Sequence, residues 1–307
     1  MTTEKREASI NNIVRNDKQI LAALLVDRTL SGGGNKRNIS WATDDYGFPH
    51  DSQITADQIF EGDKGLILPR IFKHPTLQAS RSKYRAEVFT PAWVCNAQNN
   101  LVDQQWFGRK DVFNRETTLE DGSHSWVTND KPVEFSADRP WMHYLRAPRL
   151  EMACGEGPYL VSRYDTTTGV AIDIGDRIGI TDRKFRVILE NTPSENTKMA
   201  KRQFLRKAYQ ALQATYGFDW QGDNVFLTRE QILLSFCEYY HKKWQRLPNR
   251  LAILKAAEII SWNIWQMDAT TFSIPNTSTL CDIMEWHGSD PLKGKTIKFS
   301  SLVGKRP

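Results

Sequence analysis

The apolar positions of this chain change their spacing along its length, and the changes mark out its elements. Over residues 17–30, Ile20, Leu21, Leu24 and Leu25 fall on one face at helical spacing, which predicts an amphipathic helix. Residues 38–85 lose that spacing and read as irregular chain with short strands such as Gly65-Leu66-Ile67-Leu68. Residues 92–107 return to a helical pattern that ends near Trp106 and Phe107. A polar, turn-rich stretch covers 108–147 and includes Glu120-Asp121-Gly122-Ser123. From Leu150 an apolar run enters a small turn, Cys154-Gly155-Glu156-Gly157, and restarts at Pro158-Tyr159-Leu160. That order predicts a buried strand, a tight glycine turn and a helix.

Downstream, the segment from Gly175 to Ile180-Thr181-Asp182 reads as a strand ending on a carboxylate, and 194–215 as a helix that Tyr216-Gly217-Phe218-Asp219 breaks. Thr228-Arg229-Glu230-Gln231 has the spacing of a capping box. A helix is therefore expected to open at Thr228, with Ile232, Phe236, Tyr239, Tyr240 and Trp244 on its apolar side. A further helix from about Arg250 runs into Asn263-Ile264-Trp265-Gln266-Met267-Asp268. From Cys281 to Val303 short apolar pieces alternate with loops. Strand-like and helical pieces in alternation predict an α/β class with a largely parallel, Rossmann-like sheet, whose ligand site lies at the C-terminal ends of the strands. The expected division is a helical and irregular N-terminal region over 1–85 and an α/β domain over 86–307, with a helical insertion at about 194–250.

Charge adds a candidate partner. The formal net charge is +5, and Lys198, Lys201, Arg202, Arg206 and Lys207 cluster in one predicted helix. Lys293, Lys295, Lys298, Lys305 and Arg306 crowd the C-terminal stretch. Both groups suit the phosphates of DNA, with binding that weakens as salt rises. The ten tryptophans are mostly expected in the core, where aromatic side chains are usually buried. The four cysteines form no Cys-x-x-Cys pair, so neither a disulfide framework nor a metal site is indicated. Gly32-Gly33-Gly34 ahead of Lys36 and Arg37 lacks the Gly-Lys-Ser/Thr of a phosphate loop and reads as a helix end. No apolar run approaches the ~20 residues that span a bilayer, and the first residues are polar, so a cytoplasmic chain without a membrane partner is expected.

The glycine turn is the strongest candidate for chemistry, because glycine lets backbone approach a ligand closely. Upstream of it stands Ala86-Glu87-Val88-Phe89-Thr90-Pro91-Ala92-Trp93-Val94-Cys95. The pair "VFTP…V" followed by "ACGEGPYL" resembles the opening of the DNA adenine methyltransferases of restriction–modification systems. The resemblance implies an S-adenosylmethionine site contacted by Thr90, Pro91, Cys154, Gly155, Glu156 and Gly157. Met152 departs from the family pattern, where proline is common. The ribose of such a cofactor needs a carboxylate to accept its hydroxyls. Asp182, Asp219 and Asp268 are the candidates, with Asp268 favoured and then Asp219. The plain alternative for each is a turn or helix-capping aspartate.

The family's catalytic loop, Asn/Asp/Ser-Pro-Pro-aromatic, has no counterpart: the chain has 13 prolines and no two are adjacent. Asp290-Pro291-Leu292 lacks the second proline and the aromatic, and in Asp138-Arg139-Pro140-Trp141 an arginine replaces the first proline. The resemblance thus covers the cofactor half and not the chemistry half. It implies a methyltransferase-like subunit of a restriction–modification or phage-defence system. Such a subunit binds S-adenosylmethionine and DNA but does not methylate alone, and a second chain supplies the catalytic loop and target recognition. The alternative is a non-enzymatic DNA-binding or scaffold protein on a degenerate methyltransferase fold.

Overall fold

The computed structural model describes residues 10, 12–30, 37–85, 87–287 and 293–303. Gly32-Gly33-Gly34, Lys36, Ala86, Asp290-Pro291-Leu292, Lys305 and Arg306 lie outside them. Helix α1 (Lys18–Leu25) starts where Asp17 accepts the N–H groups of Gln19 and Ile20, and it buries Ile20, Leu21, Leu24 and Leu25 as its pattern predicts. A short antiparallel pair follows, β1 (Val26–Asp27) with β2 (Arg37–Asn38). Residues 38–85 are less irregular than their pattern suggests. They hold a π-helical turn (Gln58–Gly62), a 3-10 turn (Arg70–Phe72) and α2 (Pro75–Arg85). The expected strand at Gly65–Leu68 is absent. Asp63 accepts the N–H of Gly65 on its side chain and that of Leu66 on its carbonyl, which bends the backbone out of extended geometry.

The helix predicted over 92–107 is α3 (Ala92–Phe107), closed by Gly108 in the left-handed region. The polar stretch holds a hairpin, β3 (Asn114–Thr118) with β4 (His124–Thr128), turned at Asp121-Gly122, and then α4 (Trp141–Arg146).

Three strands form the sheet that matters for function. They are β5 (Arg149–Met152), β6 (Thr215–Asp219) and β7 (Ile264–Gln266), all parallel, in the order β5-β6-β7. Between β5 and β6 run α5 (Ile180–Asn191) and α6 (Lys198–Gln213); between β6 and β7 run α7 (Gly222–Trp244) and α8 (Arg250–Asn263). This is a mixed α/β fold.

Several expected elements are corrected here. The glycine turn is not followed by a helix: residues 155–160 are turns, and the next helix begins at Ile180. Asp182 does not end a strand. It lies in the first turn of α5, buried, where it accepts the N–H of Ser162. Tyr216-Gly217-Phe218-Asp219 does more than break a helix, because it is β6, and the 194–250 stretch therefore has a strand between its two helices. Thr228 caps nothing. It sits within α7, which opens at Gly222, and its hydroxyl is used on the glycine turn instead.

The main core lies on one face of the sheet. It joins α1, Ile39, Trp41 and Ile54 to α5, α6, α7 and α8, and α7 is buried along nearly its whole length. Residues from the N-terminal region also reach α7 through ion pairs, Arg15 to Glu230 and Lys73 to Asp223. A smaller cluster covers the other face: Phe218, Trp265, Met267, Ile274, Cys281, Ile283 and Phe299. It packs beneath the hairpin of β8 (Asp282–Trp286) and β9 (Gly294–Lys298) and the short α9 (Ser300–Val303). This second layer covers β6 and β7 but leaves Leu150 and Met152 of β5 exposed. Among the described residues no helix is long and apolar enough to cross a membrane.

Candidate functional site

A cavity of about 860 Å³ opens at the C-terminal ends of the three parallel strands. That volume lies within the range of small-molecule sites, about 300–1,000 Å³. Its floor is the turn after β5, from Glu151 to Glu156; its sides are Phe218–Gln221 after β6 and Met267–Thr270 after β7. The opposite wall is the chain from Glu87 to Thr90. The structure thus brings Thr90, Cys154, Gly155, Glu156, Asp219 and Asp268 to one cavity. Pro91 and Gly157 lie outside its lining, Pro91 as the residue that opens α3 and Gly157 buried behind the turn. Asp182 is not at the site.

The turn owes its shape to three residues with positive φ, Ala153 at 50°, Gly155 at 53° and Gly157 at 73°. Left-handed backbone in alternation points successive N–H groups inward, a concavity suited to anions. Three such groups, those of Cys154, Gly155 and Gly157, are already used inside the fold: Gly157 N–H donates to Cys154 O, and Gly155 N–H donates to Asp219 Oδ2 at 2.9 Å, which fastens the end of β6 to the turn after β5. Cys154 N–H donates to Phe218 O, and Thr228 of α7 donates its hydroxyl to Gly155 O at 2.7 Å. A Cβ on Gly155 would meet nothing within 4 Å, since it would stand in the open cavity. A Cβ on Gly157 would come 2.7 Å from Thr228 Cγ2.

Five carboxylates face or border the cavity: Glu87, which Arg81 holds, and Asp219, Asp268, Glu156 and Glu151, which stand in different states. Asp219 also accepts the N–H of Gln221 at 2.8 Å, and burial pushes its pKa up to about 6. Asp268 accepts the N–H and hydroxyl of Thr270, both at 2.7 Å; burial opposes its charge, but these bonds win and hold its pKa below the usual value. Glu156 accepts from Arg70 N–H and, at 2.6 Å, from the Tyr164 hydroxyl, while burial pushes its pKa up to about 7. Glu151 leaves Oε2 without a partner, and burial raises its pKa well above the ordinary value.

Sequence reading missed the second rank behind these groups. Arg81 grips Glu87 with two bonds of 2.9 and 2.8 Å and pairs with Asp223, which Lys73 also holds at 2.8 Å. Asn224 links this network to the cavity by donating to Glu87 at 3.0 Å. The Arg70 guanidinium lies over the Phe89 ring at 5.1 Å, which seats the wall that carries Thr90. Glu87 stands two residues before Phe89, and Asn224 five after Asp219, so proximity to the motifs was the available signal.

The predicted DNA contacts are elsewhere. Lys198, Arg202 and Arg206 are exposed on α6 and Lys201 and Lys207 half-buried; Lys207 lies over the Trp141 ring at 5.5 Å. Phe204 of the same helix packs on Trp244, 4.9 Å between ring centroids. Trp244 ends α7, whereas Asn224 at its start borders the cavity; the interval is about 30 Å along the helix axis. Asp138 is exposed beside a separate groove with Trp106 and Arg139 and does not reach the cavity. No cluster of metal-binding side chains occurs among the described residues. Compared with protein-family models, curated proteins and solved structures, the chain matches none.

Proposed function

We propose that the cavity binds S-adenosylmethionine and that the chain is a methyltransferase-like, DNA-binding subunit of a restriction–modification or phage-defence system, on a Rossmann-like half-sheet. One observation carries the reading. The glycine turn, Asp219 and Asp268 follow three successive parallel strands and meet Thr90 in a single cavity. A nucleoside-bearing ligand lying across the ends of such strands finds acidic acceptors for its ribose and its base amine. Asp268, whose Oδ1 is used on Thr270 while the side chain stays half exposed, is the better placed to accept from a ligand. Asp219 is taken up mainly in holding the turn.

Calorimetric titration of S-adenosylmethionine into the purified chain is the test. Saturable one-to-one binding is expected, weakened about tenfold by Asp268→Ala, near 1.4 kcal/mol. No binding at ligand concentrations of about 1 mM would remove the reading. Methyl transfer by the chain alone is not expected. An adenine amine is a poor nucleophile unless oriented acceptors hold its hydrogens, and a bound donor without them supplies proximity for nothing. Label passing from the methyl donor into mixed-sequence DNA, and lost on Asp138→Ala, would overturn that expectation.

A further inference from the structure

Strand β5 is open on its edge and on its outer face, beside the cavity. Arg149 N–H donates to Ala214 O at 3.0 Å, so in the parallel ladder Arg149 and Glu151 turn their peptide groups toward β6. Leu150 and Met152 turn theirs the other way. Among the described residues no strand pairs with that edge and no hydrogen bond reaches the main chain of Leu150 or Met152 from that side. Their side chains lie on the face that the second layer covers over β6 and β7. Over β5 the cover stops, and Leu150 is 45% and Met152 71% exposed. A soluble fold seldom leaves an apolar strand edge bare, because such an edge templates pairing with another chain.

The two ends of this strand differ in charge and character. At its head, Val88 and Tyr84 are 81% and 70% exposed and line the cavity mouth with Met152. At its foot lie Arg146, Arg206 and Lys207 close together, with Arg149 the first residue of the strand itself, and no ion pair of these four occurs among the described residues. Burial and the neighbouring Arg206 and Arg146 lower the Lys207 pKa, as expected where these three cations stand close enough to repel. Four cations at one end of an unpaired strand call for anions there.

We infer that the β5 edge receives an extended segment of a second polypeptide as a fourth, parallel strand. Its acidic amino end lies against Arg146, Arg149, Arg206 and Lys207, and its apolar residues cover Leu150 and Met152. Main-chain bonds to the free groups of Leu150 and Met152 supply the affinity and alternate side chains the specificity, as in strand addition generally. The parallel direction continues that of β5, β6 and β7. It brings the residues following the new strand to the cavity mouth, beside Met152 and Val88. What they do there rests on the cofactor reading; the docking itself does not.

The probes are two short synthetic peptides of alternating valine and threonine, one with acidic residues at the amino end and one with them at the carboxyl end. The readout is residue-resolved amide exchange, with no cofactor present, so its failure is separate from failure of the titration above. In the free chain the amides of Leu150 and Met152 are expected to exchange freely while that of Glu151 is protected. The first peptide should slow both by about tenfold or more at about 1 mM, and the second should not. The pair Arg146→Glu and Arg149→Glu should abolish the effect. Leu150→Pro removes an N–H that no internal bond uses, so it should leave the melting temperature nearly unchanged and abolish peptide binding. Should that variant fail to fold, the wild-type exchange decides alone. The inference is overturned by protection of Leu150 in the free chain, by equal binding of both peptides or of neither, or by unimpaired binding to folded Leu150→Pro. Occupation of the same cations by a DNA duplex, with the β5 amides still exchanging and the first peptide without effect, would assign the foot to nucleic acid instead.

Discussion

Gly155 and Gly157 stand two residues apart in one turn; both lie in the left-handed region, and Gly157 is short of space as well. At Gly155 the φ of 53° strains any L side chain, but the space beyond it is empty. At Gly157 a methyl group would press into Thr228 of a buried helix. Gly157→Ala, where a φ of 73° adds backbone strain to the overpacking, is therefore expected to cost about 2–5 kcal/mol, measured by urea unfolding. Gly155→Ala should cost about 1–2 kcal/mol from the backbone alone, yet it should lose S-adenosylmethionine while Gly157→Ala, where it folds, retains some. The opposite ranking of affinities would show that a ligand does not meet the backbone at Gly155. Glu156 carries a pH prediction. Its pKa is about 7 in the fold against an ordinary 4.5, so the folded chain keeps a proton that the unfolded chain releases. Stability then falls as pH rises between those values, and the penalty is complete above about 7. Glu156→Gln should flatten the decline in melting temperature from about pH 5 to about pH 8, a difference of about 1–3 kcal/mol at the upper end. A wild-type melting curve unchanged over that range would count against a protonated Glu156.

Among the elements, α7 holds the turn by one side chain. Thr228→Val keeps the volume but removes the hydroxyl that binds Gly155 O, and about 1 kcal/mol should go with it. Thr228→Ser should keep both stability and ligand affinity within error; equal losses in the two variants would mean the hydroxyl does not position the turn. The same helix explains what the sequence hid. Its capping-box spacing at Thr228 imitated a helix start, and burial on nearly all sides erased the one-sided pattern that reveals an amphipathic helix. Strand β6 is five residues long and buried on both faces, so it has no alternation to read, and β7 merges with the apolar pattern of α8. By contrast α1 and α3 were legible, because each has a cap or glycine at an end and solvent on one side. At the site, Thr90, the glycine turn, Asp219 and Asp268 could be read from their motifs. Glu87 and Asn224 stand near those motifs, but their roles, like that of Arg81, lie in contacts between segments more than a hundred residues apart, such as Arg81 with Asp223.

For the molecule as a whole, the N-terminal region and the strands share one core, while the cavity borders one end of α7 and the Phe204 turn of α6 packs on the other. Duplex DNA binding through Lys198, Lys201 and Arg202, the cations of α6 away from the β5 foot, is expected to be weak and to fall steeply with salt, by roughly 0.9 in log–log slope for each phosphate neutralised. A gel-shift series should show Lys198→Glu with Arg202→Glu reducing that slope by about two; no binding at low salt would remove DNA from this face. Because α7 is a stiff helix, it also sets a ruler. The interval of about 30 Å along α7, from Asn224 at the cavity to Trp244 against the Phe204 turn of α6, corresponds to about nine base pairs of B-form duplex. A duplex lying straight across both would show backbone protection almost one full helical turn away from any base presented to the cavity, and on nearly the same side of the double helix.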